Sequence, residues 1–272
     1  MRDIIVFPYD DAPVTVERLS GALKPTQSGR LVDMDEVTSY QIDVAHAEVR
    51  MSAASLSALL NRYVLPSAGT AIQNVTVRFD NGEIHLRGTL KKAGLPIGFS
   101  ATALASPTPS GELRLEVTKM KAAGFIPKPL LDALGLTLAK VARPKRPGIF
   151  RIEADTMFLP VASMFPPPKF YGKVKSIRIS PQVLDAVFEG PEVGQPPPMR
   201  LPCYMIFHGG RVGFGKLTMT DSDLALLPRK RSATLGFSPT HYFQQLVAGY
   251  SLSKPDRGLI SYVGDYRDLK RQ

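Results

Sequence analysis

Apolar residues recur along the chain with a period of two in some segments and a helical period in others. The segment "YQIDVAHAEVRM", Tyr40 to Met51, alternates and predicts a strand. Ser52 then precedes a run with helical spacing, which predicts a helix with Ser52 as its N-cap and Pro66 as its end. Five apolar residues of this run fall at positions i, i+3, i+4, i+7 and i+8 and form one stripe: Leu56, Leu59, Leu60, Tyr63 and Val64.

Four alternating segments follow this helix. The first two make a hairpin, "NVTVRFDNGEIHLRG", whose turn is predicted at Asn81-Gly82 because both residues tolerate a positive φ. The next two are "LPIGFSATALA" and "GELRLEVTK". Together they predict an antiparallel meander with one apolar face. That face includes Val75, Val77, Phe79, Ile84, Leu86, Leu95, Ile97, Phe99, Leu113, Leu115 and Val117.

A second apolar helix is predicted to begin near Pro127, with Leu130, Leu131 and Leu134 on one face. A proline-rich stretch, "EGPEVGQPPPMRLP", is the best candidate for a linker. These patterns predict four parts: an N-terminal arm (1–36), a main domain (37–190), a linker (191–200) and a β-hairpin/helix extension (201–272).

Charge narrows the choice of partners. The 272 residues carry a net charge of +10, which favours a polyanion: nucleic acid, an anionic membrane surface or an acidic ligand. Aromatic residues are not interleaved with the basic runs as stacking platforms would require, and no nucleic-acid-binding signature is present. We therefore expect no nucleic acid partner.

Residues for catalysis or metal binding are sparse in the sequence. The four histidines are scattered, and a single cysteine, Cys203, lies in an apolar run typical of a buried residue. No nucleophile-elbow motif occurs. We expect no enzymatic activity, no cofactor and no metal site.

One stretch, "HGGRVGFGKLTM", approaches a phosphate-binding loop. Gly215 and Lys216 have the required spacing, but Leu217 takes the position of the hydroxyl residue. The strand-like residues and glycines around them favour instead two strands that pair across Gly209 and Gly210.

Residues 49–188 carry a family resemblance in three segments. They are "VRMSAASLSALLNRYVLP", the meander from "NVTVRF" to "KMKAAG", and "PKPLLDALGL". In this order they resemble the LmeA-like phospholipid-binding family of the tubular lipid-binding (TULIP) superfamily. The resemblance implies an α+β fold in which a curved antiparallel sheet wraps around apolar helices, with a β-rich C-terminal extension. It also implies a hydrophobic tunnel that shields acyl chains.

The resulting hypothesis is a non-enzymatic protein that binds or transfers lipid, with basic residues near anionic headgroups or a membrane surface. The expected tunnel lining is Leu56, Leu59, Leu60, Tyr63, Val77, Phe79, Leu86, Ile97, Phe99, Leu130, Leu131 and Leu134. The alternatives are a structural or interaction module of the same fold with a filled core and, third, a nucleotide-binding or nucleic-acid-binding protein. The compartment stays open: periplasmic or envelope-associated if a leader was removed, otherwise cytoplasmic.

Overall fold

The computed structural model describes residues 1–92, 95–122, 126–127, 144–194, 198–255 and 258–269. The predicted second helix, with Leu130, Leu131 and Leu134, lies outside these residues. The chain divides into two compact units. Unit 1 comprises Met1–Val49, Pro167–Tyr171 and Glu189–Gln272, and unit 2 comprises Arg50–Pro166 and Gly172–Phe188. The four-part division of the sequence stays a prediction.

Strands dominate the described residues. The strands are β1 (Arg2–Val6), β2 (Val14–Pro25), β3 (Val32–Asp33), β4 (Tyr40–Ser52), β5 (Ile72–Asp80), β6 (Glu83–Lys92), β7 (Leu95–Pro107), β8 (Leu113–Ala122), β9 (Ile126–Pro127), β10 (Arg151–Glu153), β11 (Thr156–Leu159), β12 (Lys169–Tyr171), β13 (Lys173–Ile179), β14 (Val183–Glu189), β15 (Met205–His208), β16 (Arg211–Phe214), β17 (Leu217–Thr220), β18 (Asp223–Pro228), β19 (Leu235–Phe237), β20 (Tyr250–Ser253) and β21 (Leu259–Val263). The helices are α1 (Ala53–Leu59), a π-helical turn (Leu60–Val64), α2 (Leu65–Ala68), a 3-10 turn (Val161–Ser163), α3 (Tyr242–Val247) and α4 (Tyr266–Leu269).

The expected fold class, a sheet wrapped around apolar helices, is wrong. The described residues are mostly β, with 53% of them in strands and 12% in helices, and these strands form four sheets. In the part of unit 2 that the structure describes, the apolar helix is a single short segment of 16 residues. This helix lies along one edge of a sheet, and a sheet cannot wrap around a helix in that position. This is the physical reason why the expected fold class is wrong.

That helical segment begins where the sequence predicts. The Ser52 hydroxyl accepts a hydrogen bond from the Ser55 N–H, as an N-cap should. The segment does not end at Pro66, because the wider π turn ends at Val64 and Pro66 then lies in the first turn of α2, where its missing N–H is tolerated. It ends instead at Gly69, which adopts a left-handed conformation.

The helix covers the free edge of β5, the last strand of its sheet. Asn61 Nδ2 donates to the Val75 carbonyl at 2.6 Å, and Asn61 Oδ1 accepts from the Val75 N–H at 2.8 Å. One turn earlier, Ser57 Oγ accepts from the Val77 N–H at 2.8 Å. These side chains satisfy backbone groups that an edge strand would otherwise leave open.

The main sheet of unit 2 has the order β10-β11-β8-β7-β6-β5, with β9 paired to β8. Strands β5 to β8 form the predicted antiparallel meander. The predicted turn between β5 and β6 is confirmed, since Asn81 and Gly82 both have positive φ values, 48° and 79°. The apolar pattern therefore places one face of this sheet in the core of unit 2.

A β-bulge interrupts β8. Lys119 pairs with Thr102 and Val117 pairs with Ala103, so Thr118 is the extra residue. A strict alternation from Leu115 and Val117 would turn the following lysines toward the apolar face. The bulge reverses this and brings Met120 to that face, where it is buried.

Unit 1 contains the strand order β4-β2-β1-β19, the four-stranded order β15-β18-β21-β20 and the three-stranded order β17-β16-β3. Its core includes Ile4, Cys203, Met205, Phe214, Leu224, Leu226, Leu235, Tyr242 and Val263. Cys203 is fully buried, as its apolar surroundings predict.

The predicted pairing across Gly209 and Gly210 is wrong. Both glycines turn the chain with positive φ values, 74° and 70°, but the strands on either side join different sheets. Strand β15 pairs with β18, and β16 pairs with β17 and with β3. The reason is that Gly209 and Gly210 exchange backbone hydrogen bonds with Ser222, the residue before β18.

Candidate functional site

The two faces of the main sheet of unit 2 differ sharply in chemistry. Directly opposite residues share a face, so the registers Val77–Leu86–Ala101–Met120 and Leu90–Ile97 define one of them. We call the side formed by Val77, Leu86, Leu90, Ile97, Phe99, Ala101, Ala103, Val117 and Met120 the apolar sheet face. None of these nine residues has a charged side chain.

Five of the predicted lining residues meet at this face. Val77, Leu86, Ile97 and Phe99 come from three neighbouring strands, and Leu60 comes from the π turn of the helical segment. All five pack against one buried cluster that contains Leu65, Ile72, Val75, Leu90, Ala101, Ala103, Val117 and Met120. The alternation in β5, β6 and β7 was sufficient to identify the sheet members.

The other predicted residues that the structure describes are not part of this cluster, although the register Phe79–Ile84–Ala103 places Phe79 on the same side of the sheet. Leu59 and Phe79 are buried, with 2% and 3% of their surface exposed, and Leu56 is half-buried. Tyr63 packs against a second cluster, formed by Val64, Ala68, Phe150 and Leu159. Leu130, Leu131 and Leu134 lie outside the described residues.

Several residues of the apolar sheet face escaped the sequence prediction. Met120 is one residue out of phase with the alternation of Leu115 and Val117, because the bulge at Thr118 depends on a partner strand. Ile152 of β10 also packs against the cluster, although its strand has only three residues. Gly88 is needed there too: a Cβ at this position would lie 2.9 Å from the Phe99 ring.

The apolar sheet face is not uniformly closed. Within the described part of the chain, Val77, Leu86, Ile97 and Phe99 are each only partly buried, although they contact the core. Core residues of this type are usually buried completely. Apolar surface is therefore available beside the packed cluster.

The opposite face of the same sheet is basic at one end. Arg87 faces Ser100, which faces Lys121, and the next row continues from His85 through Thr102 to Lys119. Lys91 follows Arg87 on the same side of β6. We call Arg87, Lys91, Lys119 and Lys121 the basic face. All four are exposed, and none forms an ion pair with another described residue.

Bases at the other end of this sheet are paired with acids. Arg114 contacts Glu116 at 2.6 Å, Arg78 contacts Asp80 at 3.1 Å, and Arg151 contacts Glu153 at 3.0 Å. The basic face, in contrast, presents four exposed bases that have no acidic partner among the described residues, which favours an anionic partner.

The whole net charge of the protein resides in unit 2. By sequence, unit 2 contains 18 Lys and Arg residues against 8 Asp and Glu residues, whereas unit 1 contains 16 of each. A polyanionic surface is therefore attracted mainly to unit 2.

A hydrogen-bonded group of polar residues in unit 1 resembles catalytic machinery but anchors a helix. His241 Nδ1 lies 3.0 Å from Thr240 Oγ1 and 3.2 Å from Ser238 Oγ, and Tyr266 Oη donates to Asp10 at 2.6 Å. Burial and the Asp10 carboxylate raise the pKa of Tyr266 to about 12. Ser238 is 1% exposed, so its hydroxyl is closed to a substrate and serves the turn before α3.

The structure also bears on phosphate and metal chemistry. Gly215 and Lys216 form the turn between β16 and β17, so no helix follows them as a phosphate-binding loop requires. Among the described residues, no group of three His, Cys, Asp or Glu side chains is placed to hold a metal ion. In the same residues, we find no helix with the length and apolar character to span a bilayer.

No protein-family model, curated protein or solved structure matches this chain.

Proposed function

We propose that the protein binds or transfers lipid without catalysing a reaction, and that acyl chains lie on the apolar sheet face of unit 2. The observation that carries the proposal is the partial exposure of Val77, Leu86, Ile97 and Phe99 beside a packed apolar cluster. Transfer of one methylene from water to such a surface is worth about 0.8 kcal/mol, so an acyl chain needs no charged ligand for affinity.

The basic face supports the same proposal from the other side of the sheet. Four exposed bases near one end of β6 and β8 attract an anionic membrane, each by about 1 kcal/mol close to the surface. The sequence does not interleave aromatic residues with its basic runs, as the stacking of single-stranded nucleic acid requires, and this favours lipid as the partner. The resemblance of residues 49–188 to LmeA-like phospholipid-binding proteins adds support through its sequence pattern alone.

A structural module with a filled core is the second candidate function. Its specific support is the complete burial of Leu59 and Phe79, two residues that were expected to line a lipid site. In this alternative the apolar sheet face only stabilises unit 2.

Native mass spectrometry of gently purified protein distinguishes the two candidates. Lipid binding predicts co-purified lipid, and a delipidated sample is expected to take up a fluorescent fatty acid or phospholipid. A clean apo mass together with no uptake would overturn the proposal and favour the structural module.

Two leucines on opposite faces of the sheet provide a matched pair of variants. Leu86→Asn puts an amide on the apolar sheet face, whereas Leu104→Asn changes an exposed residue of β7 on the other face. We expect the first variant to lose lipid uptake and the second to keep it. Circular dichroism melting verifies that both variants are folded.

A further inference from the structure

Unit 1 exposes large apolar side chains along one short stretch of chain. Phe243 and Val247 of α3 are 53% and 71% exposed, and Tyr250 and Leu252 of β20 are 50% and 52% exposed. A soluble monomer rarely leaves so many large apolar groups together in water unless the surface binds a partner. We call these four residues the apolar stretch.

The fold of unit 1 holds the apolar stretch outward. Tyr242 and Gln245 turn into the core, so the i, i+4 pair Phe243 and Val247 lies on the outer side of α3. In β20, Tyr250 stacks on Tyr262 of β21 with ring centroids 4.8 Å apart. Strand β20 is the last in its sheet, so no further described strand covers it.

A basic run lies next to the middle of the apolar stretch. Arg229, Lys230 and Arg231 follow β18 and are all exposed. Arg229 Nη1 donates to the Ala248 carbonyl at 2.7 Å, which fixes the run beside the junction of α3 and β20.

The acidic groups near this run leave it predominantly positive. Asp268 lies 3.9 Å from Lys230 Nζ, but the Lys230 side chain is still 86% exposed. Asp223 pairs with Lys254 at 2.9 Å and Asp265 pairs with Arg267 at 2.6 Å, so these two carboxylates are already matched.

From this juxtaposition we propose that the apolar stretch and the Arg229–Arg231 run form a docking surface for an anionic lipid bilayer. The aromatic and aliphatic side chains enter the interface between headgroups and acyl chains, and the bases contact anionic headgroups. Charge complementarity favours a bilayer over a second copy of this chain, because two copies would bring two basic runs together. Docking through unit 1 does not depend on whether unit 2 carries a lipid.

Vesicle co-sedimentation of the full chain tests the proposal. We expect binding to phosphatidylcholine vesicles that contain phosphatidylglycerol, and weaker binding to pure phosphatidylcholine or at high salt. Phe243→Ser with Val247→Ser is expected to lower the partition coefficient about tenfold. Lys230→Gln with Arg231→Gln is expected to lower it about fivefold for each charge removed at low salt.

Matched control variants distinguish binding through this surface from nonspecific hydrophobic or electrostatic binding to vesicles. Leu104→Ser removes an exposed leucine of unit 2, and Arg30→Gln with Arg211→Gln removes two exposed charges elsewhere in unit 1. The proposal is overturned if the wild type does not bind anionic vesicles. It is also overturned if the control variants lose binding as strongly as the Phe243/Val247 and Lys230/Arg231 variants, which we call the docking variants. It is equally overturned if the Phe243/Val247 variant instead dissociates a dimer in analytical ultracentrifugation.

Lipid occupancy is measured on the same proteins. We expect the docking variants to retain any lipid that wild-type protein carries in native mass spectrometry. A wild type that binds vesicles but carries no lipid contradicts the proposed function and leaves the docking surface standing. A wild type that carries lipid but does not bind vesicles contradicts only the docking surface.

Discussion

The contact between the helical segment and strand β5 makes a quantitative prediction about Asn61. This side chain makes two hydrogen bonds to the backbone of Val75, a residue with only 4% of its surface exposed, and its Nδ2 also donates to the Ser57 carbonyl at 2.8 Å. Asn61→Leu keeps a similar volume but leaves a buried N–H and a buried carbonyl without their partner. Each such group costs about 1–3 kcal/mol, so for the two groups we expect a loss of roughly 2–6 kcal/mol in the stability of this edge.

Ser57 gives a graded comparison on the same edge. Its hydroxyl accepts one hydrogen bond, from the Val77 N–H, so Ser57→Ala is expected to cost about 1–2 kcal/mol. If the loss of stability increases with the number of backbone groups of β5 that lose their hydrogen-bond partner, the contact between the helix and this edge strand is the cause. Loss of helix propensity alone predicts the opposite for alanine, the best helix former.

Amide hydrogen exchange is the appropriate assay, because it reports each strand residue separately even when two units unfold at different conditions. In the wild type we expect the Val75 and Val77 amides to be protected. Asn61→Leu should expose the Val75 amide, and Ser57→Ala should expose only the Val77 amide. Unchanged protection at Val75, with global stability within about 0.5 kcal/mol of wild type, would refute the edge-covering role.

The remaining predictions concern a bulge, a buried phenol and the near-match to a phosphate loop. Thr118 is the one extra residue of the bulge, so its deletion leaves Lys119 and Lys121 on the basic face and Met120 on the apolar sheet face; we expect the variant to fold, with a stability within about 3 kcal/mol of wild type in urea titration, and insoluble protein would contradict this account of the bulge. Burial and the neighbouring Asp33 raise the pKa of Tyr40 to about 12, above its ordinary value of 10.0. The contribution of the neutral Tyr40 phenol to the free energy of unfolding is therefore complete below pH 10 and is lost as pH rises to about 12. Denaturant titrations at each pH should show a loss of about 2–3 kcal/mol relative to Tyr40→Phe. Lys216→Ala should leave thermal melting in ATP and magnesium unchanged; an ATP-dependent shift in the wild type alone would restore the nucleotide hypothesis.

Local chemistry accounts for the features that the sequence predicts correctly. Ser52 begins the helix because its hydroxyl accepts the Ser55 N–H, and Asn81-Gly82 reverses the chain because both residues adopt a positive φ. Each of these effects acts within a few residues. The alternation of β5 to β7 likewise identifies Val77, Leu86 and Ile97 as neighbours on one face.

The errors arise where a distant partner decides the outcome. The position of the helix depends on hydrogen bonds between β5 and the side chains of Ser57 and Asn61, and the apolar stripe of the helix does not predict them. The phase of β8 depends on how Thr118 meets β7, and the partner of β15 depends on Ser222. Two polar residues one helical turn apart, beside an apolar stripe, are the signal that points to an edge contact of this kind.

Contact between an acyl chain and the apolar sheet face is the central claim, and the chain is well suited to its measurement because it contains no tryptophan. Leu86→Trp places a single fluorophore on the apolar sheet face, and Leu104→Trp places one on the opposite face of the same sheet. Each variant is loaded with phospholipid brominated along its acyl chains and separated from vesicles by gel filtration. We predict strong quenching of Leu86→Trp relative to unbrominated lipid and little change for Leu104→Trp. Equal emission from Leu86→Trp with both lipids, in protein shown by mass spectrometry to carry lipid, would contradict the account.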